Sequence, residues 1–197
     1  MPQLILASAS QVRARLLEAA GVPHEVVASA VDEQPIKKRC RDENLTVEQM
    51  ALELSKEKAL SVSENHPDSL VLGADQILEC EGRQFDKPNN MTLARENLKF
   101  LQGRTHSLVS GMSVVSKGHE IWRHVETSHL SLLPLSDGFI DDYLEKSGPD
   151  VLNSVGVYFL EGRGVQLFEK IDGDFFSILG LPLLPLLAFL RRQSVLK

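Results

Sequence analysis

Positive charge is in short supply in this chain. Its 197 residues carry 21 Lys and Arg against 27 Asp and Glu, a formal net charge of -6. A chain this acidic has no global field with which to hold a nucleic-acid backbone, so an anionic partner must be small and met by cations gathered in one site. Cysteine is scarce as well. Cys40 and Cys80 are the only two; they fit no zinc-ligand spacing and are too few for a disulfide scaffold, which suits small reduced residues of a cytosolic protein. Long apolar runs are lacking: the richest stretch, 175–190, falls short of the roughly 18 residues of a membrane span and is broken by Pro182 and Pro185. It reads as a buried C-terminal helix, with a membrane-contacting helix as the alternative. The start, Met-Pro-Gln followed at once by apolar residues, offers neither a basic n-region nor a small-residue cleavage site, so no signal peptide is expected. The P-loop, the dinucleotide-binding glycine fingerprint and the Gly-x-Ser-x-Gly elbow are all missing. No internal repeat or low-complexity linker is present, and the histidines form no ligand-like pair.

What is present is a globular composition, with 43% hydrophobic and 24% charged residues. The length suits one large domain, or two small lobes around a shared core, and we take 1–197 as a single domain. Residues 4–7 read as a short buried strand, followed by the polar turn Ser8-Ala-Ser10 and a helix that stops at Gly21. A second strand is expected over 24–27. The segment 32–43 is polar, charged and contains a proline, and reads as a loop. A helix with Thr46 as its cap is expected over 47–62. The apolar strand 70–73 leads into Asp75 and Gln76. Lys87-Pro88 sits in a loop, a helix covers 92–101, and two long strands, 105–115 and 120–133, join in a hairpin at Lys117-Gly118. Ser136 caps a further helix that Gly148-Pro149 closes. Residues 155–159 and 164–171 read as strands, and Gly180-Leu-Pro182 opens the last helix, with the proline in its favoured first turn. Early alternation of strands and helices with adjacent strands in the middle predicts an α/β chain around a mixed sheet.

Several residues could carry chemistry. A strand, small hydroxyl residues and a helix start, as in Ser8-Ala-Ser10-Gln-Val-Arg13, make a natural anion site, because free backbone N–H groups and the helix dipole favour negative charge. Arg13 in the first turn could then take a phosphate bidentately; an ordinary capped helix with a solvated arginine gives the same pattern. Asp75 ends a run, 70–74, that should be buried. An unpaired carboxylate there would be costly, so either the strand has ended at a cleft or the carboxylate meets a metal or a cation. Glu33 in its charged loop, Lys58 on a helix and Lys87 before Pro88 each read alone as solvated surface charges. Together, carboxylates and cations spread over loops and element ends are what phosphoanhydride hydrolysis requires: carboxylates to hold a divalent metal and orient water, cations to neutralise phosphates.

The order of these residues resembles the Maf family. Leu6-Ala-Ser8-Ala-Ser10, with Arg13 and Leu16-Leu17 behind it, is followed by Val31-Asp-Glu33, Glu57-Lys58-Ala59 and Gly73-Ala-Asp75. Then come Lys87-Pro88, Gly103-Arg-Thr-His106 and Gly180-Leu-Pro182-Leu183. The resemblance spans nearly the whole chain. It implies a cytoplasmic nucleoside triphosphate pyrophosphatase that uses a divalent metal, Mg2+ or Mn2+, and leaves a nucleoside monophosphate. The implied fold is α/β, two-lobed, with a mixed twisted sheet, flanking helices and a central cleft, similar to the inosine triphosphate pyrophosphatases. The resemblance further implies that Ser8, Ser10 and Arg13 cradle phosphates and that Glu33 binds the metal or activates water. By the same resemblance Lys58 and Lys87 neutralise the triphosphate, and Asp75 serves as proton acceptor and metal ligand. A homodimer is compatible with it; nucleic-acid and membrane partners are not expected.

The departures bear on the base. Gln11, Val12, Gln76, Glu161 and the Asn153-Ser154 pair differ from members acting on dTTP and UTP, and the Asp75-Gln76 and Glu161-Gly162 pairs look like the branch that hydrolyses 7-methylguanosine triphosphate. A pyrimidine edge offers one N–H between two carbonyls, which suits an amide; a guanine edge offers N1–H and an amino group together, which suits a carboxylate such as Glu161. Two alternatives stand beside this expectation: a dTTP/UTP pyrophosphatase of the same family, and a nucleotide-binding regulator of division without turnover.

Overall fold

In the computed structural model, which describes residues 3–196, strands and helices alternate broadly as the sequence predicts, with local differences; the stretch 175–190, read as one helix, is a short helix and a longer one separated by residues 179–182. The order begins β1 (Leu4–Ala7), α1 (Gln11–Ala19), β2 (Glu25–Val26), α2 (Glu33–Asp42), α3 (Val47–Ser63), β3 (Leu70–Cys80) and β4 (Arg83–Phe85). It continues α4 (Met91–Leu101), β5 (Thr105–Ser116), β6 (His119–Leu132), α5 (Asp137–Ser147), β7 (Phe168–Asp172), α6 (Phe175–Ile178) and α7 (Leu183–Arg192), with short 3-10 turns at Pro149–Asn153 and Arg163–Leu167. The strands make a seven-stranded mixed sheet in the order β2-β1-β3-β5-β6-β7, with β4 pairing to β3. Two compact units divide the chain.

The first unit comprises Met1–Gln76, Val109–Glu126 and Asp174–Lys197. Here β1 runs parallel to both neighbours, pairing Leu6 with Val26 of β2 and Ala7 with Gly73 of β3. All four side chains of β1 are buried, but on alternate faces. Leu4 and Leu6 join Leu17, Met112, Val114, Leu186 and Phe189. Ile5 and Ala7 pack with Ala59, Val62, Val71 and Val115. A parallel strand covered on both faces explains the unbroken apolar run. Helix α3 lies hard against one face: a Cβ on Gly73 would fall 1.9 Å from the Ser55 carbonyl oxygen, and one on Gly111 2.6 Å from that of Ala51. Only glycine permits that approach. The helix starts with a capping box in which Thr46 accepts from the Gln49 N–H at 3.3 Å and the Gln49 side chain accepts from the Thr46 N–H at 2.9 Å.

The second unit comprises Ile77–Leu108 and Thr127–Gly173. Its core gathers Leu98, Leu101, Leu130, Ile140, Leu144 and Leu167. Arg95 to Asp141 at 2.6 Å and Lys99 to Asp137 at 2.9 Å tie α4 to α5 on the surface. β7 pairs antiparallel with β6, with a bulge at Ser131/Leu132. Among the described residues no helix is long and apolar enough to cross a membrane.

Helix α2, the segment 155–171 and Pro182 differ most plainly from the expectation. The segment read as a loop over 32–43 is helix α2: Pro35 stands in the first turn, where its missing N–H costs nothing, and Asp32 caps the helix by accepting from the Gln34 N–H at 3.1 Å. The strands expected over 155–159 and 164–171 reduce to β7; the earlier part is turns and 3-10 helix. Pro182 is the N-cap of α7 rather than part of its first turn.

Candidate active site

Strand β3 continues through Asp75 to Cys80, so Asp75 does not mark a strand end. It is buried at mid-strand, 6% exposed, and the cation expected as one alternative is there. Because residues two apart on a strand share a face, Asp75 lies on the Gly73 side, toward α3. Lys58 stands one turn beyond Ser55 on that helix, and its Nζ donates to Asp75 Oδ1 at 2.5 Å. The same ammonium lies 2.6 Å from Glu33 Oε1. Two carboxylates that are 42 positions apart in sequence therefore share one lysine, which offsets their mutual repulsion.

Glu33 is the first residue of α2, where the dipole favours a carboxylate. Its second oxygen lies 3.1 Å from Lys37, one turn on. Burial by itself would push the Glu33 carboxyl up; Lys58 and Lys37 outweigh it and hold the group below the usual carboxylate range. Lys37 escaped the sequence reading, although Glu33-x-x-x-Lys37 is an i,i+4 pair once the segment is seen as helical.

Ser8, Ser10 and Arg13, the residues expected to meet phosphate, come together in the same unit. Ser10 is the N-cap of α1, and Ser8 Oγ accepts from the Ser10 N–H at 3.2 Å. Arg13 is built into the turn: Nη1 donates to Ser8 Oγ at 3.2 Å and to the Ala74 carbonyl at 2.8 Å, and Nε donates to the Gly180 carbonyl at 2.8 Å. Among the described residues Nη2 alone is left without a protein acceptor. Burial lowers the Arg13 pKa from its ordinary value, against the pull of nearby Asp75 and Glu33. The guanidinium is thus a fixed strut between the Ser8 turn, β3 and the segment before α7, with one N–H edge to spare.

Gln76 faces away from Asp75, as strand alternation requires. Its Nε2 lies 3.0 Å from Ser110 Oγ, 3.1 Å from the Ser177 carbonyl and 3.0 Å from the Ile178 carbonyl. Carbonyls only accept, so the amide nitrogen must point at them and Oε1 must point away. Ser110 also donates to the Ser177 carbonyl at 2.8 Å. Ser110 and Ser177 carried no signal in the sequence beyond being small and polar. Lys87, in the loop after β4, and Glu161, exposed in a turn, both belong to the second unit. Among the described residues no three His, Cys, Asp or Glu side chains form a ligand cluster.

An α/β chain with a mixed sheet, a hydroxyl-rich helix start and a lysine bridging two carboxylates has the parts of an enzyme for anionic substrates. A family profile described as "Maf-like protein" matches residues 3–193. A nucleoside triphosphate pyrophosphatase of Granulibacter bethesdensis is 46% identical over 194 residues, 98% of each chain. A 7-methyl-GTP pyrophosphatase of Rhizobium meliloti is 47% identical over 195 residues, 99% of this chain and 98% of the relative. Among solved structures, a nucleoside-triphosphatase (dITP/XTP pyrophosphatase) of Mycobacterium abscessus aligns at 16% identity and a TM-score of 0.43, over 98% of this chain and 95% of the other. The chain belongs to the Maf family.

Proposed function

We propose that this protein is a nucleoside triphosphate pyrophosphatase. Water adds to the α-phosphorus, the bond from that phosphorus to the bridging oxygen of the β-phosphate breaks, and a nucleoside monophosphate and pyrophosphate leave. The observation that carries this reading is the meeting of Glu33, Lys58 and Asp75 in the same unit as the turn of Ser8, Ser10 and Arg13. Asp75 takes the proton of the attacking water. Lys58, which neutralises both carboxylates in the free protein, is placed to meet phosphate charge as well. The N-terminus of α1, Ser10 and the spare edge of Arg13 hold the phosphate chain.

A divalent metal, Mg2+ or Mn2+, fits the donors: Glu33 and Asp75 offer hard carboxylate oxygens, and such an ion takes one or two carboxylates, with waters and substrate phosphates completing its shell. When bound it supplies charge neutralisation on the phosphates and a more acidic water. For the base, we assign a modified guanosine triphosphate such as 7-methyl-GTP, with the Glu161 carboxylate as the acceptor for its edge. The name of the Rhizobium relative supports this choice. A cytoplasmic location, a homodimer and the absence of nucleic-acid and membrane partners complete the proposal. Substituting Asp75→Asn tests it: pyrophosphate release should fall at least about 100-fold while the fold, read by circular dichroism, is kept. Full activity in that variant overturns the proposal.

A further inference from the structure

The second unit holds a buried clamp that the reaction above does not use. His106 on β5 is 1% exposed and Tyr158 5%, and His106 Nε2 lies 2.6 Å from the Tyr158 hydroxyl oxygen. The tyrosine ring stands edge-on to Phe168, centroids 4.8 Å apart. Nδ1 of His106 is buried with no partner among the described residues. That fixes the direction of the bond. If the imidazole donated, a buried phenol proton and a bare ring nitrogen would both go unmet; if the phenol donates to Nε2, only one N–H does. The phenol is therefore the donor.

The chain around Tyr158 is bent back under strain. Val157 adopts φ 61°, a left-handed conformation that a β-branched residue rarely takes. The Tyr143 hydroxyl donates to the Val157 carbonyl at 3.0 Å and holds it there. A Cβ on Gly156 would fall 2.3 Å from Tyr158 Cε1, so the backbone passes flat over the ring. One residue beyond Tyr158, the Phe159 carbonyl accepts from the Gly162 N–H at 3.1 Å. That bond closes a turn whose third residue is Glu161, exposed at its tip. The carboxylate thus stands on a short arm whose root is a buried, doubly hydrogen-bonded tyrosine pair.

We propose that His106, Tyr158 and Tyr143 are positioning residues for nucleobase selection: their clamp fixes the strained turn that presents Glu161 to a guanine-type edge. This rests on the reading of Glu161 given under Proposed function. Two carboxylate oxygens accept from two adjacent base donors only if the carboxylate is held to within a fraction of an ångström, and a turn freed at its root no longer does so.

The test compares Tyr158→Phe, Tyr143→Phe and Glu161→Gln, singly and as the Tyr158→Phe/Glu161→Gln double variant. The readout is kcat and KM for 7-methyl-GTP and UTP, at a temperature where circular dichroism shows each variant folded. Each tyrosine variant should lower the ratio of kcat/KM for 7-methyl-GTP over UTP about five- to tenfold, mainly through KM, with kcat on UTP within about twofold of the native value. Adding Tyr158→Phe to Glu161→Gln should change the ratio no further, since the clamp acts through that carboxylate. Native selectivity in both tyrosine variants, with selectivity lost in Glu161→Gln, overturns the positioning role and leaves the reading of Glu161 standing. Unchanged selectivity in Glu161→Gln overturns both. Equal loss of kcat on both substrates marks the clamp as structural only and also overturns it.

Discussion

At the scale of single residues, the unusual groups are those that burial and charge place in conflict. Asp75 is a buried carboxylate in an apolar strand, tolerated because Lys58 lies 2.5 Å away. The residues were legible as a set while their contacts were not. Nothing in the spacing of Glu33, Lys58 and Asp75 says that one ammonium serves both carboxylates, since that depends on two helices meeting one strand. Gln76 shows the same limit: its place beside Asp75 was readable, but its bonds to the Ser177 and Ile178 carbonyls come from a segment about 100 positions away. His106 gives a prediction at this scale. Burial holds its imidazole near a pKa of about 4, below the ordinary 6.5. The unfolded chain therefore takes up a proton below pH 6.5 that the folded protein refuses until about pH 4. Stability from this group is present above that window and is lost as pH falls through it, on the order of 3 kcal/mol in all. Urea unfolding between pH 7 and 4 should show a flatter pH dependence for His106→Gln than for the native protein; identical slopes would contradict the assignment.

At the scale of elements, close packing sets the site. Gly73 and Gly111 let α3 sit against the sheet, and that approach brings Lys58 to Asp75. A Gly73→Ala change has no room, because the new methyl would meet the Ser55 carbonyl and push the helix away. We expect a loss of about 2–4 kcal/mol in stability, and a fall in pyrophosphate release in whatever protein remains folded. Thermal melting and a pyrophosphate assay check both, and native behaviour in each would contradict the packing account. Elements with a clear apolar period, such as β1, α3 and the β5–β6 hairpin, were readable because a single physical signal defines them. Helix α2 was not: of its ten residues only Cys40 is fully buried, so its apolar stripe is one residue deep and its proline reads as a breaker. Residues 155–159 failed for the opposite reason. Their apolar side chains suit a strand, but they are buried by the clamp around Tyr158 and not by pairing.

At the scale of the whole molecule, the net charge of -6 and the cations of the site answer different questions. The overall acidity disfavours long polyanions, while a small anion needs only local cations, such as Arg13 and Lys58 of the first unit. Fluorescence anisotropy with a labelled 20-nucleotide DNA at physiological salt should show no binding; tight binding would contradict this separation of local from global charge. The family was legible from the order of its motifs, because those motifs are short contiguous runs that can be read without knowing the fold. The central claim is that the chain hydrolyses a nucleoside triphosphate between its α- and β-phosphates, with a methylated guanosine base preferred. Its most direct test is pyrophosphate release by the purified native protein with Mg2+ or Mn2+, across 7-methyl-GTP, GTP, ATP, CTP, UTP and dTTP. The account predicts pyrophosphate and a nucleoside monophosphate as products, with kcat/KM highest for 7-methyl-GTP. No pyrophosphate from any substrate would contradict the account outright, and a preference for dTTP and UTP would contradict its assignment of the base.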